Sequence, residues 1–425
     1  MDLILKKEND YRIFTAVHDG NVLGYVAIDS TVRDRSCGGL RMLPDIDEAE
    51  IRALARSMTL KYGFLGLPQG GAKAGVFGNP DALRPERLER LIEFGHAIES
   101  LLLTKTFIPT SDMGTNSADI RHMLNAVGIR VGRRELQNNS SGFYTAHSVL
   151  AGVVQSSRHI GLDLSQCTAA IEGFGNVGKP LASLLTHTGA KVVAISTSQG
   201  GIYNPRGLDV DRLTRLADEV GSRVVEVYRE AEFIDREALL ELPVDILSPC
   251  ARWNSLRSDN EVRVLARVIC PGANNPITPE AERILFERGV LCLPDFVTNC
   301  GGVLGGTMEF ASVSRERITA FIERYIGECI TWLLKEAKAK GVLPREVAVP
   351  LARYRFEQVQ KSAEHPTPLV RLFSMGLEFY RRGWIPGSLV GPLSLHYFKK
   401  NICRGPYTSS RTSPGRGGPF GAPGH

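Results

Sequence analysis

The feature that most constrains this chain is an apolar run, Thr168-Ala169-Ala170-Ile171, followed by Gly173-Phe174-Gly175-Asn176-Val177-Gly178 and a helical pattern beginning near Lys179. A G-x-G-x-x-G hexad between strand and helix demands a particular backbone. Its first glycine permits the tight turn, and its second lets the main chain approach a pyrophosphate. The third lets helix and strand pack closely, and the helix N-terminus favours negative charge. Alone, the hexad also fits any glycine-rich turn, so its context decides. Further apolar runs at 191–195, 244–247, 268–270 and 290–293, separated by helical segments, predict a parallel sheet covered on both faces. A dinucleotide cofactor is therefore expected. The acidic residue that would hold an adenine ribose 2′-hydroxyl belongs about 20 residues on. The sequence there reads Ser196-Thr197-Ser198-Gln199. Thr197 and its hydroxyl neighbours repel no 2′-phosphate, yet no arginine stands beside them, so NAD and NADP both remain open.

With 425 residues, 43% of them hydrophobic and 23% charged, the composition is that of a globular chain of two or three domains. No stretch approaches the roughly 20 apolar residues that cross a bilayer. The start, Met1 to Lys7, lacks the apolar core of a secretory signal, so a cytoplasmic protein is expected. The eight cysteines are scattered without a Cys-x-x-Cys pair, which predicts reduced thiols and no metal site. A net charge of +5, owed partly to Arg404, Arg411 and Arg416, does not point to nucleic acid. The chain divides into an N-terminal α/β region at 1–135, a Rossmann-like doubly wound region at 140–345, a helical segment at 346–403 and a tail at 404–425. The tail is rich in Gly, Pro, Ser and Arg and is expected to be disordered.

In the first region, an amphipathic helix is predicted from Asp47, with Ile51, Leu54, Ala55 and Met58 along its apolar stripe. Lys61 falls on the same stripe, where an unpaired ammonium is costly to bury. Taken alone, it fits a lysine snorkelling from the last helical turn. Twelve residues on, Pro68-Gln69-Gly70-Gly71-Ala72-Lys73-Ala74-Gly75 reads as a glycine-dense loop delivering a second lysine, and Pro109 to Asn116 places Asp112 in another loop. Two neighbouring ammonium groups lower each other's pKa, which suits one to act near neutrality. The other can hold a carboxylate, and Asp112 can accept or donate a substrate proton.

These segments carry a resemblance. Gly38-Gly39-Leu40-Arg41-Met42, Lys61, Gly70 to Lys73 and Ser111 to Thr115 resemble the glutamate/leucine/phenylalanine/valine dehydrogenases. So do Gly173 to Gly178, Ser248 to Ala251, Gly272-Ala273-Asn274-Asn275-Pro276 and Pro294 to Val303, in that order over about residues 10–345. The resemblance implies two domains, the first also serving dimerisation, and an NAD(P)-dependent exchange of an L-amino acid for a 2-oxo acid and ammonia, in either direction. Lys61 would bind the α-carboxylate, Lys73 would activate the attacking water and Asp112 would shuttle the amino-group proton. Thr145 and Asn299 would meet the nicotinamide end, and Asn274 would line the cleft. The partners implied are the amino acid, the 2-oxo acid and further copies of the chain, with neither nucleic acid nor membrane.

The substrate position immediately before Gly38 and Gly39 holds a lysine in glutamate-specific members, where it binds the side-chain carboxylate. Here it is Cys37. A second polar contact of those enzymes, a serine, aligns with Gly306. Without both groups, burial of a second carboxylate is uncompensated, which favours a neutral, apolar amino acid. The segment Gly200 to Pro205 is more like glutamate dehydrogenases, so a glutamate-specific enzyme is the alternative. Thr145 is followed by Ala146-His147-Ser148 where relatives carry glycines. With Cys37 and Thr197, these departures keep a non-catalytic nucleotide-binding relative in view. A hydroxy-acid dehydrogenase would call for a histidine base and an arginine, and a Schiff-base lyase would not need the glycine hexad.

Overall fold

The computed structural model describes residues 1–8, 11–132, 140–366, 376, 379–380 and 384–402. The tail expected at 404–425 lies outside the described residues. Two sheets organise the molecule. The first comprises β1 (Asp2–Glu8), β2 (Tyr11–His18), β3 (Asn21–Ile28), β4 (Ser36–Leu43), β5 (Gly70–Phe77) and β6 (Phe107–Ser111), in the order β1-β2-β3-β5-β4-β6. Asp19 and Gly20, both at positive φ, form the two-residue turn between β2 and β3. That is the geometry a tight hairpin requires. β4 runs parallel to both β5 and β6, while the remaining pairs are antiparallel. Strand alternation gives the sheet two apolar faces. Ile13 and Ala27 meet Ile51 and Ala55 of helix α1 (Glu48–Leu65) on one side. On the other, Phe14, Val26 and Leu40 pack with α2 (Arg84–Ala97), α3 (Glu99–Leu103) and α4 (Ser117–Ala126).

Lys73 is therefore not in a loop, as the glycine density suggested, but in the middle of β5, paired on both sides by β3 and β4. The glycines answer to close neighbours. A Cβ on Gly71 would lie 2.3 Å from the Thr59 nitrogen of α1, and one on Gly38 would lie 1.6 Å from the Ala72 carbonyl oxygen. Backbone approach, rather than turn formation, requires them.

The second sheet contains β7 (Thr168–Glu172), β8 (Lys191–Thr197), β9 (Gly200–Tyr203), β10 (Glu232–Ile234), β11 (Ile246–Pro249), β12 (Val268–Ile269) and β13 (Leu291–Cys292), in the order β10-β9-β8-β7-β11-β12-β13. The five strands from β8 to β13 along this order are parallel, as the apolar runs predict. β9 and β10 are antiparallel additions, so the sheet is mixed rather than purely parallel. They are short, one begins with two glycines, and neither presents a continuous apolar run. Helices α5 (Ser141–His159), α6 (Gly178–His187), α7 (Val210–Val220), α8 (Val224–Val227) and α9 (Pro279–Glu287) accompany this sheet. The chain continues through α10 (Asp295–Thr298), α11 (Gly301–Phe310), α12 (Arg315–Phe321), α13 (Gly327–Lys340), α14 (Pro344–Glu364) and α15 (Gly387–Ile402). α14 returns to pack along α1, where a Cβ on Gly63 would lie 2.2 Å from the Ala352 carbonyl oxygen.

Because β8 and β11 flank β7 on opposite sides, the connections diverge there and leave a crevice beyond the strand ends. The glycine hexad fills that position. Gly173 has φ +91°, and a Cβ on Gly178 would lie 1.8 Å from the Gly173 carbonyl oxygen. A Cβ on Gly175 would meet nothing within 4 Å. The three glycines thus serve turn, close packing and open approach respectively. We predict that Gly178→Ala destabilises the fold by about 3 kcal/mol, whereas Gly175→Ala changes it by less than about 1 kcal/mol. Urea unfolding of both variants checks this, and equal losses would contradict it.

Candidate active site

Parity along the first sheet places Cys37, Gly39 and Arg41 of β4 on the face that carries Lys73 of β5 and ends, past β6, at Asp112. A Cβ on Gly39 would sit 2.7 Å from the Asp112 Cβ and 3.0 Å from Lys73 Nζ, which accounts for glycine there. Asp112 stands in the turn between β6 and α4. The Asp112 amide donates to Thr115 Oγ1 at 3.1 Å, and Thr115 Oγ1 donates to the Leu40 carbonyl at 2.7 Å. Lys73 Nζ lies 2.7 Å from Asp112 Oδ2, and Arg41 Nε donates to the same oxygen at 2.9 Å. The other end of the Arg41 guanidinium pairs with Glu50 of α1.

These neighbours set the charge states. Burial pushes the Asp112 carboxyl up, but the Arg41 guanidinium and the Lys73 ammonium outweigh it and hold the group far below the usual carboxylate range. Burial pulls Lys73 down against the pull of Asp112, and Arg41 lowers it further. Asp112 is thus a firm carboxylate and Lys73 an ammonium with a weakened hold on its proton.

Lys61 is 5% exposed, so the snorkelling alternative does not hold. Its Nζ donates to Asn274 Oδ1 at 3.0 Å, reaching from α1 to the segment after β12. Asn299 Nδ2 donates to that oxygen at 2.9 Å and to the Ala273 carbonyl at 2.9 Å. Burial lowers the Lys61 pKa to about 8, with Asp295 opposing the fall and Lys73 adding to it. The buried Asn299 Oδ1 has no hydrogen-bond partner among the described residues.

Around the glycine hexad, the first turn of α5 comes close: a Cβ on Gly142 would lie 2.2 Å from the Asn176 carbonyl oxygen. Thr145, one turn along, donates from Oγ1 to the Ser141 carbonyl at 2.8 Å and abuts Gly302 at the start of α11. Val177 lies against Gly272, which brings the segment carrying Asn274 to the hexad. The Phe174 amide donates to the Ser196 carbonyl at 2.7 Å, and the Gly173 amide donates to Ser196 Oγ. Thr197 is buried at the far end of β8, with its hydroxyl committed to the Ser222 carbonyl at 2.7 Å. Gly306 is half-buried on α11, one turn beyond Gly302. Cys37 is buried, and burial pushes its thiol up while a hydrogen bond with Tyr62 opposes the rise.

The dinucleotide fits what is present. Gly175 opens onto free space at the N-terminal end of α6, and Asn299 holds a buried oxygen in need of a donor. Among the described residues, no cluster of His, Cys, Asp and Glu suits a metal ion.

Some participants take parts that the sequence did not assign. Arg41 was only part of a motif, though its parity with Gly39 placed it on the lysine face. Ser148 donates to the Thr145 carbonyl and accepts from the Gly301 amide, both at 2.9 Å. His147 instead faces Glu323, with Nδ1 2.6 Å from its carboxylate.

Residues 140–364 match the family described as glutamate/leucine/phenylalanine/valine dehydrogenase, and residues 10–128 match its dimerisation domain. The glutamate dehydrogenase of Thermotoga maritima is 39% identical over 305 residues, covering 67% of this chain and 72% of that one. An NAD-specific glutamate dehydrogenase of Staphylococcus aureus is 36% identical over 307 residues, covering 69% and 73%. In fold, the chain is similar to the hetero-hexameric glutamate dehydrogenase of Thermus thermophilus in its leucine-bound form, with a TM-score of 0.69 at 24% identity over 83% of this chain and 89% of that one. Two family matches spanning both sheets, with a relative this similar over two thirds of its length, establish that the chain belongs to the glutamate/leucine/phenylalanine/valine dehydrogenase family of NAD(P)-dependent oxidoreductases.

Proposed function

We propose that the protein catalyses the NAD(P)-dependent oxidative deamination of a neutral, apolar L-amino acid, or the reverse reductive amination. The observation that carries this reading is the convergence of Lys73, Asp112 and Lys61 beside the Asn274–Asn299 pair, where the two sheet regions meet. Lys61 holds the α-carboxylate. Asp112, ionised at neutral pH, accepts the proton that the substrate ammonium loses. The chemistry that a bound NAD(P) would supply is acceptance of the hydride from the amino-acid Cα. Lys73, in its neutral form, then takes a proton from the water that adds to the imino carbon; Asp112 returns its proton to the amine, and as the C–N bond breaks and ammonia leaves, the carbinolamine hydroxyl gives its proton to solvent and becomes the carbonyl of the 2-oxo acid. The glycine hexad and the α6 N-terminus hold the pyrophosphate, with Phe174, Asn176 and Val177 shaping the loop. Thr145 and Asn299 steady the nicotinamide end.

The substrate assignment rests on Cys37, two residues from Gly39 on the same face of β4. A neutral thiol bonded to Tyr62 cannot compensate a second buried carboxylate. The glutamate reading has its own support in the names of the two relatives above. A panel of L-amino acids, glutamate included, assayed with NAD and NADP separately, decides between them: greater kcat/KM on glutamate than on leucine or phenylalanine would overturn the neutral assignment. Either cofactor is compatible with Ser196 and Thr197, which present no carboxylate and whose hydroxyls are already bonded.

A homo-oligomer is part of the same proposal, supported by the matched dimerisation domain and by the edge strand β1, on which Ile4 is 56% exposed. Light scattering on the purified chain tests it. A cytoplasmic location accords with the free cysteines and with the lack, among the described residues, of any helix long and apolar enough to cross a membrane.

Lys73→Ala should lower kcat by roughly 10²–10⁴-fold with cofactor affinity retained, and equal loss of both would make Lys73 structural. Lys61→Ala should raise the amino-acid KM by about 10- to 100-fold. Since Lys61 binds a carboxylate only as an ammonium, and its pKa is lowered to about 8, the wild-type KM should be flat below that pH and climb above it. A KM that stays level to pH 9.5 would remove the assignment.

A further inference from the structure

We propose that Asp295 is a positioning residue of the substrate site, tying helix α1 to the segment at 274–275 and so presenting Lys61 to the amino acid's carboxylate. This rests on the reading of Lys61 given above. Asp295 is completely buried and is approached from three separate elements. Ser57 Oγ of α1 donates to its Oδ2 at 3.0 Å, the Asn275 amide donates to the same oxygen at 3.0 Å, and Arg345 of α14 donates to Oδ1 at 3.0 Å.

The first two contacts close a ring. Ser57 and Lys61 stand one helical turn apart on the same face of α1. Asn275 follows Asn274, whose side-chain oxygen receives the Lys61 hydrogen bond. Asp295 therefore grips both sides of the Lys61–Asn274 contact, one through the helix and one through the loop. Asn275 sits at φ +47°, a left-handed conformation that costs a residue with a side chain about 1 kcal/mol. The amide bond to Asp295 helps hold it there. Arg345, itself 2.5 Å from the buried Glu282, keeps Asp295 ionised despite its burial.

The ring also has an electrostatic effect. The charged and titratable groups facing Lys61 are Asp295 from α10, Lys73 from β5, the Cys300 thiol from the link to α11, and Asp112 from the turn after β6. Of these, Asp295 does most to keep Lys61 protonated against burial. Neutralising it lowers the Lys61 pKa, so less of the ammonium form survives at pH 8 than at pH 6.5.

The test is Asp295→Asn in the full chain, measured between pH 6.5 and 9 with the best amino acid of the panel. We expect the amino-acid KM to rise about tenfold at pH 8 and less at pH 6.5, with kcat and the cofactor KM within about twofold of wild type. An unchanged amino-acid KM overturns the proposal, and so does a pH-independent loss shared by kcat and the cofactor KM, which marks general damage. If that variant does not fold, Ser57→Ala severs the α1 tie with every charge in place. It should raise the amino-acid KM about threefold with kcat unaltered, by loss of one hydrogen bond, and no change in KM overturns the proposal. The underlying carboxylate reading fails separately, in Lys61→Ala, if that variant keeps the wild-type KM.

Discussion

Placing charged side chains where little water reaches them costs several kcal/mol per ion unless each finds a partner, and this site meets that cost with matched numbers. Arg41, Lys61, Lys73 and Arg345 supply four cations; Glu50, Asp112, Asp295 and Glu282 supply four carboxylates. The members come from α1, β4, β5, the turn after β6, α9, α10 and α14. Lys61 and Asp295 belong to different sheet regions, so the four-to-four balance exists only when both regions are docked. The lysines remain the least firmly held members. Lys73 shares Asp112 with Arg41, and Lys61 is bonded to a neutral amide rather than to a carboxylate. Proton transfer and carboxylate capture are proposed for these two.

Close backbone approach is the second constraint. Gly38, Gly39 and Gly71 let β4, β5 and α1 come near enough for Lys73 and Asp112 to touch, and Gly178 lets α6 pack against β7. A methyl group at Gly39 would occupy the space of the Asp112 side chain and crowd the Lys73 ammonium. The glycines flanking the reactive groups thus determine distances that the reactive groups cannot set themselves. Ser148 plays a related part by joining Thr145 to the start of α11 with one hydroxyl.

Much of this was legible from local pattern. The parallel core of the second sheet follows from uninterrupted apolar runs, since strands buried on both faces have no polar alternation to disguise them. The α1 stripe placed Lys61 inward because a helix repeats every 3.6 residues. What local pattern misjudged is equally specific. Glycine density around Lys73 suggested a loop, because the partners that demand glycine there, Thr59 and Ile51 of α1 and Ser30 after β3, lie on other elements. β9 and β10 were missed because three- and four-residue strands carry too little periodicity to register. Arg41 and Asp295 lay within quoted motifs, but nothing along the chain tells which carboxylate a guanidinium meets.

The residue types, their order and the turn-and-helix grammar around Gly173 to Gly178 were determined by the sequence alone, because each depends on neighbours within a few positions. Family membership follows from that ordered series. Only the tertiary structure decided that Arg41 and Lys73 share Asp112, that Lys61 reaches Asn274, and that Asp295 gathers α1, α14 and the Asn275 loop. These are contacts between residues as many as 238 positions apart, as Ser57 and Asp295 are. Their distances depend on how sheets and helices dock, a many-body packing outcome that no local stretch of sequence encodes.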